Sequence, residues 1–224
     1  MTAGTILVSG MLAGVPGQGG AAWAVLQYVL GFRRLGYEVY VVEPVAKLDP
    51  RSVAYLKELS ASFELEGFAA LLEEGTRDTA GLSYADVVGA ARSADILVNI
   101  SGMLADEQLL EPIPTRVYLD LDPAFNQLWQ AIDGIDMRFE GHTHFVTVGL
   151  AIGRPGCSVP TCGRDWLPTL QPVVLERWPF ADGLVHDAVT TVGNWRGYGS
   201  IEHNGVFYGQ KAHSFRELID LPKR

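Results

Sequence analysis

Two aspartates separated by a single residue, Asp120 and Asp122 in the run TRVYLDLDP, form the most chemically loaded spacing in the chain. On a strand, side chains two apart share a face, so both carboxylates are expected on one side, where they could share a divalent ion or hold a sugar hydroxyl. The plainer reading is a strand end, with Asp122 capping a helix that Pro123 opens. Asp122 is also a candidate general base. His144 is the other, because an unperturbed imidazole titrates close to neutrality. His142 and His144 with Cys157 and Cys162 would supply four zinc ligands of acceptable type. H-x-H with C-x4-C matches no strong zinc spacing, so no metal site is assigned.

A second kind of chemistry belongs to the glycines. Gly10, Gly14, Gly17, Gly19 and Gly20 follow the apolar run Ile6, Leu7, Val8 and precede a long apolar stretch. A glycine loop entering a helix leaves backbone N–H groups bare, with the positive end of the helix dipole behind them. Such a place favours a phosphate, a carboxylate or a polar substrate group. Gly17, Gly19 and Ala22 also fit G-x-G-x-x-A, with Glu43 about twenty residues on, which imitates a dinucleotide fingerprint and makes an NAD(P)-binding oxidoreductase the alternative function. The spacing argues against it: Gly17 stands seven residues past Gly10, whereas a dinucleotide loop begins directly after its strand. Gly193, Asn194, Trp195 and Arg196 form another turn after a strand, where amides and a guanidinium could meet a diphosphate and Trp195 could stack on a ring. An interdomain linker with a buried anchor is the plainer reading of that turn.

These residues need elements to hold them. Thr5 to Pro44 reads as strand, glycine loop, helix over Ala21 to Leu35 ending at Gly36, and a second strand over Glu38 to Val42. Asp49 and Pro50 start a helix. Phe63 to Gly75 carries Leu65, Phe68, Leu71 and Leu72 at helical spacing and is read as helix; Gly75 to Leu82 is read as an exposed turn region. Ser83 caps a short helix, and strands follow at Asp95 to Ile100, Arg116 to Leu121 and His144 to Val148, separated by short helices over Met103 to Leu110 and Phe125 to Ile132. Gly149 to Pro172 is read as a long irregular loop. A further strand is read near Val189 and a helix over Gln210 to Ile219. Trp23, Trp129 and Trp178 are read as core rather than sugar platforms. Strand alternating with helix at this rate implies an α/β, doubly wound, Rossmann-like parallel sheet.

The glycine loop ending in a GG pair, the helix and the run LGYEVYVVEP together resemble the opening of GT-B-type glycosyltransferases. The resemblance extends more loosely to SADILVNISG at Ser93 to Gly102 and TTVGNWRGYGS at Thr190 to Ser200. It implies glycosyl transfer from a nucleotide-sugar co-substrate to a small-molecule or glycan acceptor, with no other cofactor. Residues 1–185 would form the acceptor-side domain, with Gly14, Gly17, Gly19 and Gly20 in its binding loop. Residues 186–224 would begin a nucleotide-sugar domain, with Gly193 to Arg196 as its first loop. A second domain needs roughly 100 to 150 residues, so the resemblance implies an incomplete second domain and a chain that is catalytically incompetent by itself. Residues 10 to 20 contain no histidine, unlike families with a catalytic histidine in the first loop, which leaves the stereochemistry open. A non-catalytic sugar or nucleotide binder is a third reading.

A formal net charge of −9 and no basic run exclude, on this reading, a nucleic-acid partner. No segment approaches the roughly 18 apolar residues of a membrane span, and the N-terminus lacks the basic region of a secretory signal. Two cysteines among 224 residues suit a reducing compartment, so a cytoplasmic protein is expected.

Overall fold

The computed structural model describes residues 3–183, 197, 199–209 and 211–220. The chain builds an eight-stranded sheet from β1 (Thr5–Ser9), β2 (Glu38–Val45), β3 (Ala69–Glu73), β4 (Thr79–Gly81), β5 (Ile96–Ile100), β6 (Thr115–Asp120), β7 (His144–Thr147) and β8 (Trp166–Pro168). Their spatial order is β4-β3-β2-β1-β5-β6-β7-β8, with every neighbouring pair parallel except β3 and β4. The order reverses direction at β1, the switch point beside which open α/β sheets leave a crevice at their carboxyl ends.

Alternation along the strands sorts the core into two layers. Ile6, Val8, Val39, Val41 and Leu71 face α1 (Gly19–Arg34) and α2 (Pro50–Phe63), whereas Leu7, Val42, Ala70, Leu72 and Leu97 face α3 (Tyr84–Ser93) and α4 (Glu107–Leu110). A third cluster of Tyr118, Phe139, Phe145, Ile152 and Trp166 packs the β6–β8 end. α1 stops at Gly36, whose φ of +91° is the left-handed turn that glycine enters without steric cost. α2 starts as its sequence dictates, with the Asp49 carboxylate accepting from the Arg51 amide at 2.9 Å ahead of Pro50.

Several expectations are corrected. The helix read over 63–75 is in fact the inner strand β3, because Ala69 to Leu72 are buried on both faces and a fully covered strand shows no two-residue alternation. The exposed turn region of 75–82 contains the edge strand β4. The loop of 149–172 contributes β8, which extends the sheet past β7 through pairs such as Phe145 with Trp166. α5 (Phe125–Leu128) runs on into a π-helical turn at Trp129–Asp133. Trp178 is not core: it is 54% exposed and lies against Trp23, which also meets Phe63 edge-on. Beyond the sheet, β9 (Ile201–His203) and β10 (Val206–Tyr208) pair as an antiparallel hairpin that the sequence reading missed, ahead of α6 (Lys211–Glu217). The strand read near Val189 lies outside the described residues. No helix among them is long and apolar enough to cross a membrane.

Candidate active site

Every strand from β1 to β3 and from β5 to β7 ends toward one edge, and that edge carries the polar chemistry. At β1 it opens into the glycine loop, but part of the loop's donor set is already used. The Glu43 side chain, 2% exposed, brings Oε2 to the amides of Leu12, Ala13 and Gly14 at 2.9, 2.6 and 2.9 Å. Gly14 is a glycine for this reason, since a Cβ there would stand 2.5 Å from Glu43 Oε1. Burial pushes the Glu43 carboxyl above its usual range, against the opposing pull of the three amide bonds. Those amides hold an internal carboxylate rather than a ligand. Gly17, Gly19 and Gly20 sit at the surface, where a Cβ would meet nothing within 4 Å. The same geometry weakens the dinucleotide reading, because the acidic residue that would have to reach a ribose is closed inside the loop.

The two aspartates sit in different surroundings. Asp120 closes β6, fully buried, accepting from Asn126 Nδ2 at 2.7 Å, Gln127 Nε2 at 2.8 Å, Thr147 Oγ1 at 2.7 Å and the Asp122 amide at 3.0 Å. Asp122 lies past the strand and is exposed, so strand alternation no longer governs it. Burial raises the Asp120 carboxyl above its usual range; the Asp122 carboxyl, crowded by protein although the residue reaches solvent, is raised by the same desolvation and further by the Asp120 charge. With its lone pairs spent on four donors, Asp120 anchors the edge rather than presenting itself to an ion. Asn126 extends that anchor to Ser101, donating to its Oγ at 3.4 Å.

His144 stands at the amino end of β7, level with Val117, whereas Asp120 is level with Thr147. Three residues of strand, about 10 Å at 3.3 Å each, separate those levels, so His144 and Asp122 lie toward opposite edges of the sheet. His144 Nδ1 is 2.9 Å from Thr143 Oγ1. His142 takes the amide hydrogen of Asn99 on Nε2 at 3.1 Å, and burial holds its imidazole below the ordinary range. Cys162 donates to the Gln127 carbonyl at 3.3 Å, and among the described residues no group of three or more His, Cys, Asp or Glu side chains could hold a metal ion. Gly193, Asn194, Trp195 and Arg196 lie outside the described residues.

What the edge offers instead is a pair of joined recesses of about 260 and 330 Å³. Both are bounded by Pro44 at the end of β2, Glu74 just past β3, and Arg138. Ser101, Gly102 and Asp136 complete one, and Leu104, Gly75 and Asp106 the other. Ser101 and Gly102 both turn through positive φ, +51° and +65°, and a Cβ on Gly102 would stand 2.9 Å from the Met137 carbonyl. That close approach lets the 134–140 segment fold over the end of β5. Arg138 Nη1 donates to the carbonyls of Met103 at 3.0 Å and Gly102 at 3.3 Å, while its amide donates to Asp136 at 2.8 Å. One guanidinium among Glu74, Asp106 and Asp136 suits a neutral, hydroxyl-rich molecule better than a diphosphate, because each carboxylate accepts from a hydroxyl and repels a phosphate. No spacing in the sequence signals this set, whose charged members come from three separate connections, after β3, after β5 and at 134–140.

No family model matches the sequence, and no curated protein matches it. Solved structures similar to the chain include an α-glucosyltransferase in complex with UDP and a 13-mer DNA containing an HMU base, at 16% identity, 63% of this chain, 37% of that one and a TM-score of 0.39. Another is an α-glucosyltransferase in complex with UDP-glucose and DNA containing an abasic site, at 14% identity, 77% of this chain, 43% of that one and a TM-score of 0.43. The chain thus spans less than half the length of either. Both are glycosyltransferases, the class that the sequence resemblance names. The exclusion of a nucleic-acid partner is corrected here, since both neighbours are in complex with DNA. A net charge sums the whole chain, whereas a nucleic acid meets one surface of it.

Proposed function

We propose that this chain is the acceptor-side part of a glycosyltransferase, holding a hydroxyl-bearing acceptor in the joined recesses at the carboxyl edge while a nucleotide-sugar supplies the glycosyl group. The observation that carries the reading is the recess itself: Glu74, Asp106, Asp136, Ser101 and Arg138 converge where α/β sheets bind ligands, with a balance of groups suited to sugar hydroxyls. The sequence resemblance supplies the reaction class. Asp122, exposed beside this edge with a raised carboxyl, is the base we nominate for the acceptor hydroxyl. His144 is not nominated with it, given its place at the amino edge. The boundary near residue 185, the donor role of Gly193 to Arg196, the surface glycines Gly17, Gly19 and Gly20 as part of the acceptor cradle, and a cytoplasmic location belong to the same proposal.

Saturation-transfer NMR with methyl glucosides, together with a UDP-release assay on UDP-glucose, tests it. Hydroxymethylated DNA belongs among the acceptors assayed. Glycoside signals that vanish in Glu74→Gln and Arg138→Ala support the recess as the acceptor site. Glycoside signals that persist in both variants, or saturable NADH fluorescence with no glycoside binding at all, would remove it.

A further inference from the structure

The recess at the carboxyl edge has a wall that is held from inside the protein. Asn99, on β5 and fully buried, clamps Leu104 by both of its backbone groups: Asn99 Oδ1 accepts from the Leu104 amide at 3.0 Å, and Nδ2 donates to the Leu104 carbonyl at 2.9 Å. Leu104, 1% exposed, lines one of the two recesses, two residues ahead of Asp106 in the same wall. Arg138 holds the two preceding residues, Gly102 and Met103, by their carbonyls.

The clamp settles where the hydrogens stand. An Asn99 amide turned the other way would set oxygen against the Leu104 carbonyl and N–H against its N–H, so Nδ2 is the nitrogen. That same nitrogen lies 3.1 Å from His142 Nε2. One of its hydrogens serves the carbonyl and the other the imidazole, so Nε2 accepts. The ring is therefore neutral, with its hydrogen on Nδ1, an atom sealed from water. A second proton would set N–H against N–H at Nε2. Asn99 could answer only by turning its oxygen to the ring, which breaks both bonds to Leu104, and at 0% exposure it has no water to replace them.

Tyr118 meets the imidazole edge-on at 5.2 Å and Phe145 lies at 6.3 Å; burial raises the Tyr118 phenol, which stays uncharged. Burial lowers the His142 pKa, the backbone of Phe139, Glu140 and Arg138 pulls the other way, and the Arg116 charge adds to the lowering. The ring is thus neutral at pH 7 and takes its proton below the ordinary 6.5.

We propose that Asn99 and His142 are positioning residues of the acceptor recess: a neutral His142 keeps Leu104 clamped and the wall in place, and a protonated one releases it. The consequence for binding rests on the acceptor reading of the recess, whereas the clamp itself does not.

NMR on the ¹⁵N-labelled chain, titrated from pH 8 to 5, tests both. At pH 8 the His142 ring should carry its hydrogen on Nδ1. As the ring protonates, hydrogen-exchange protection of the Leu104 amide should fall about tenfold or more beyond any fall at Leu7 and Val8, which follow the stability of the whole sheet. Methyl glucoside saturation transfer should fade with the same midpoint. His142→Phe, which keeps a ring against Tyr118 and Phe145 but carries no proton, should remove the pH dependence of both readouts. Asn99→Asp offers an imidazolium its acceptor and should raise the His142 midpoint by about one unit or more. A hydrogen on Nε2 at pH 8, Leu104 protection that tracks Leu7 and Val8 throughout, no protonation of His142 down to pH 5, undiminished pH dependence in His142→Phe, or an unmoved midpoint in a folded Asn99→Asp would each overturn the proposal. Glycoside that fails to bind at pH 8 while Leu104 responds as expected would remove the acceptor reading and leave the clamp standing.

Discussion

Replacing Glu43 tests whether the glycine loop is held from inside. In Glu43→Ala, three amides lose their acceptor, two of them on residues no more than 3% exposed, Leu12 and Ala13. Each unsatisfied buried donor costs about 1–3 kcal/mol, and relief of the buried carboxylate returns part of that, several kcal/mol. A net loss of about 3–4 kcal/mol is expected, near 10 °C in melting temperature for a chain of this size. Glu43→Gln keeps an acceptor oxygen and drops the charge that burial disfavours, so at neutral pH it should lose less than about 1 kcal/mol. Urea unfolding followed by tryptophan emission reads both, with slopes unchanged. The pH dependence separates the two causes acting on this carboxyl. Because burial wins and its folded pKa is raised above the ordinary 4.5, the native state holds the proton more tightly. The parent should therefore lose stability relative to Glu43→Gln as pH climbs from about 4.5 through the raised value, and regain it on acidification. A Glu43→Ala loss below 1 kcal/mol, or a stability difference that grows with rising pH, would refute this account of the loop.

The other expectations are more local. Asp120→Asn turns an amide toward the donors of Asn126, Gln127 and Thr147, so a loss of about 2–4 kcal/mol should appear in thermal melts. Gly102→Ala forces a side chain into the left-handed region and against the Met137 carbonyl, and should cost at least 1 kcal/mol and abolish glycoside signals in NMR. Arg138→Ala, at an exposed residue, should leave the melting temperature within about 2 °C while removing glycoside binding. His142 is held neutral by burial, so its depressed pKa should make the parent lose stability as pH falls below about 6.5. His142→Phe should flatten that part of a pH–stability curve, as denaturant midpoints would show.

How much was legible depends on whether the signal was local. The βαβ opening, the Gly36 stop, the Asp49–Pro50 start and the Ser83 cap follow from two or three adjacent residues, and each stands where the sequence placed it. β3 did not, because a doubly covered strand of alanine and leucine shows neither alternation nor β-branching, and its neighbours Leu65 and Phe68 completed an accidental helical pattern. The hairpin at β9 and β10 is built from two three-residue strands, too short for any periodicity to register. The D-x-D straddles the end of β6 at Asp120, so strand alternation, which holds inside a strand, does not govern Asp122.

The site shows the same division with a sharper consequence. Glycines after a strand announce bare amides, but whether those amides meet a ligand depends on what stands across from them, which is a property of register. β1 and β2 pair Ser9 with Val42, and this register carries the next residue of β2, Glu43, level with the loop. A carboxylate delivered there satisfies the donors before any substrate arrives. The open recess at this edge is then left to the ends of β2, β3 and β5 and to Arg138, drawn in by the positive-φ turn at Ser101 and Gly102. If Glu43 were moved two residues along β2, the loop would regain its open amides and the binding preference should shift from hydroxyls toward anions. Phosphate should then protect the Leu12–Gly14 amides from hydrogen exchange in a Glu43→Ala, Val45→Glu double variant, and absence of that protection would show that the loop takes an internal carboxylate from either position.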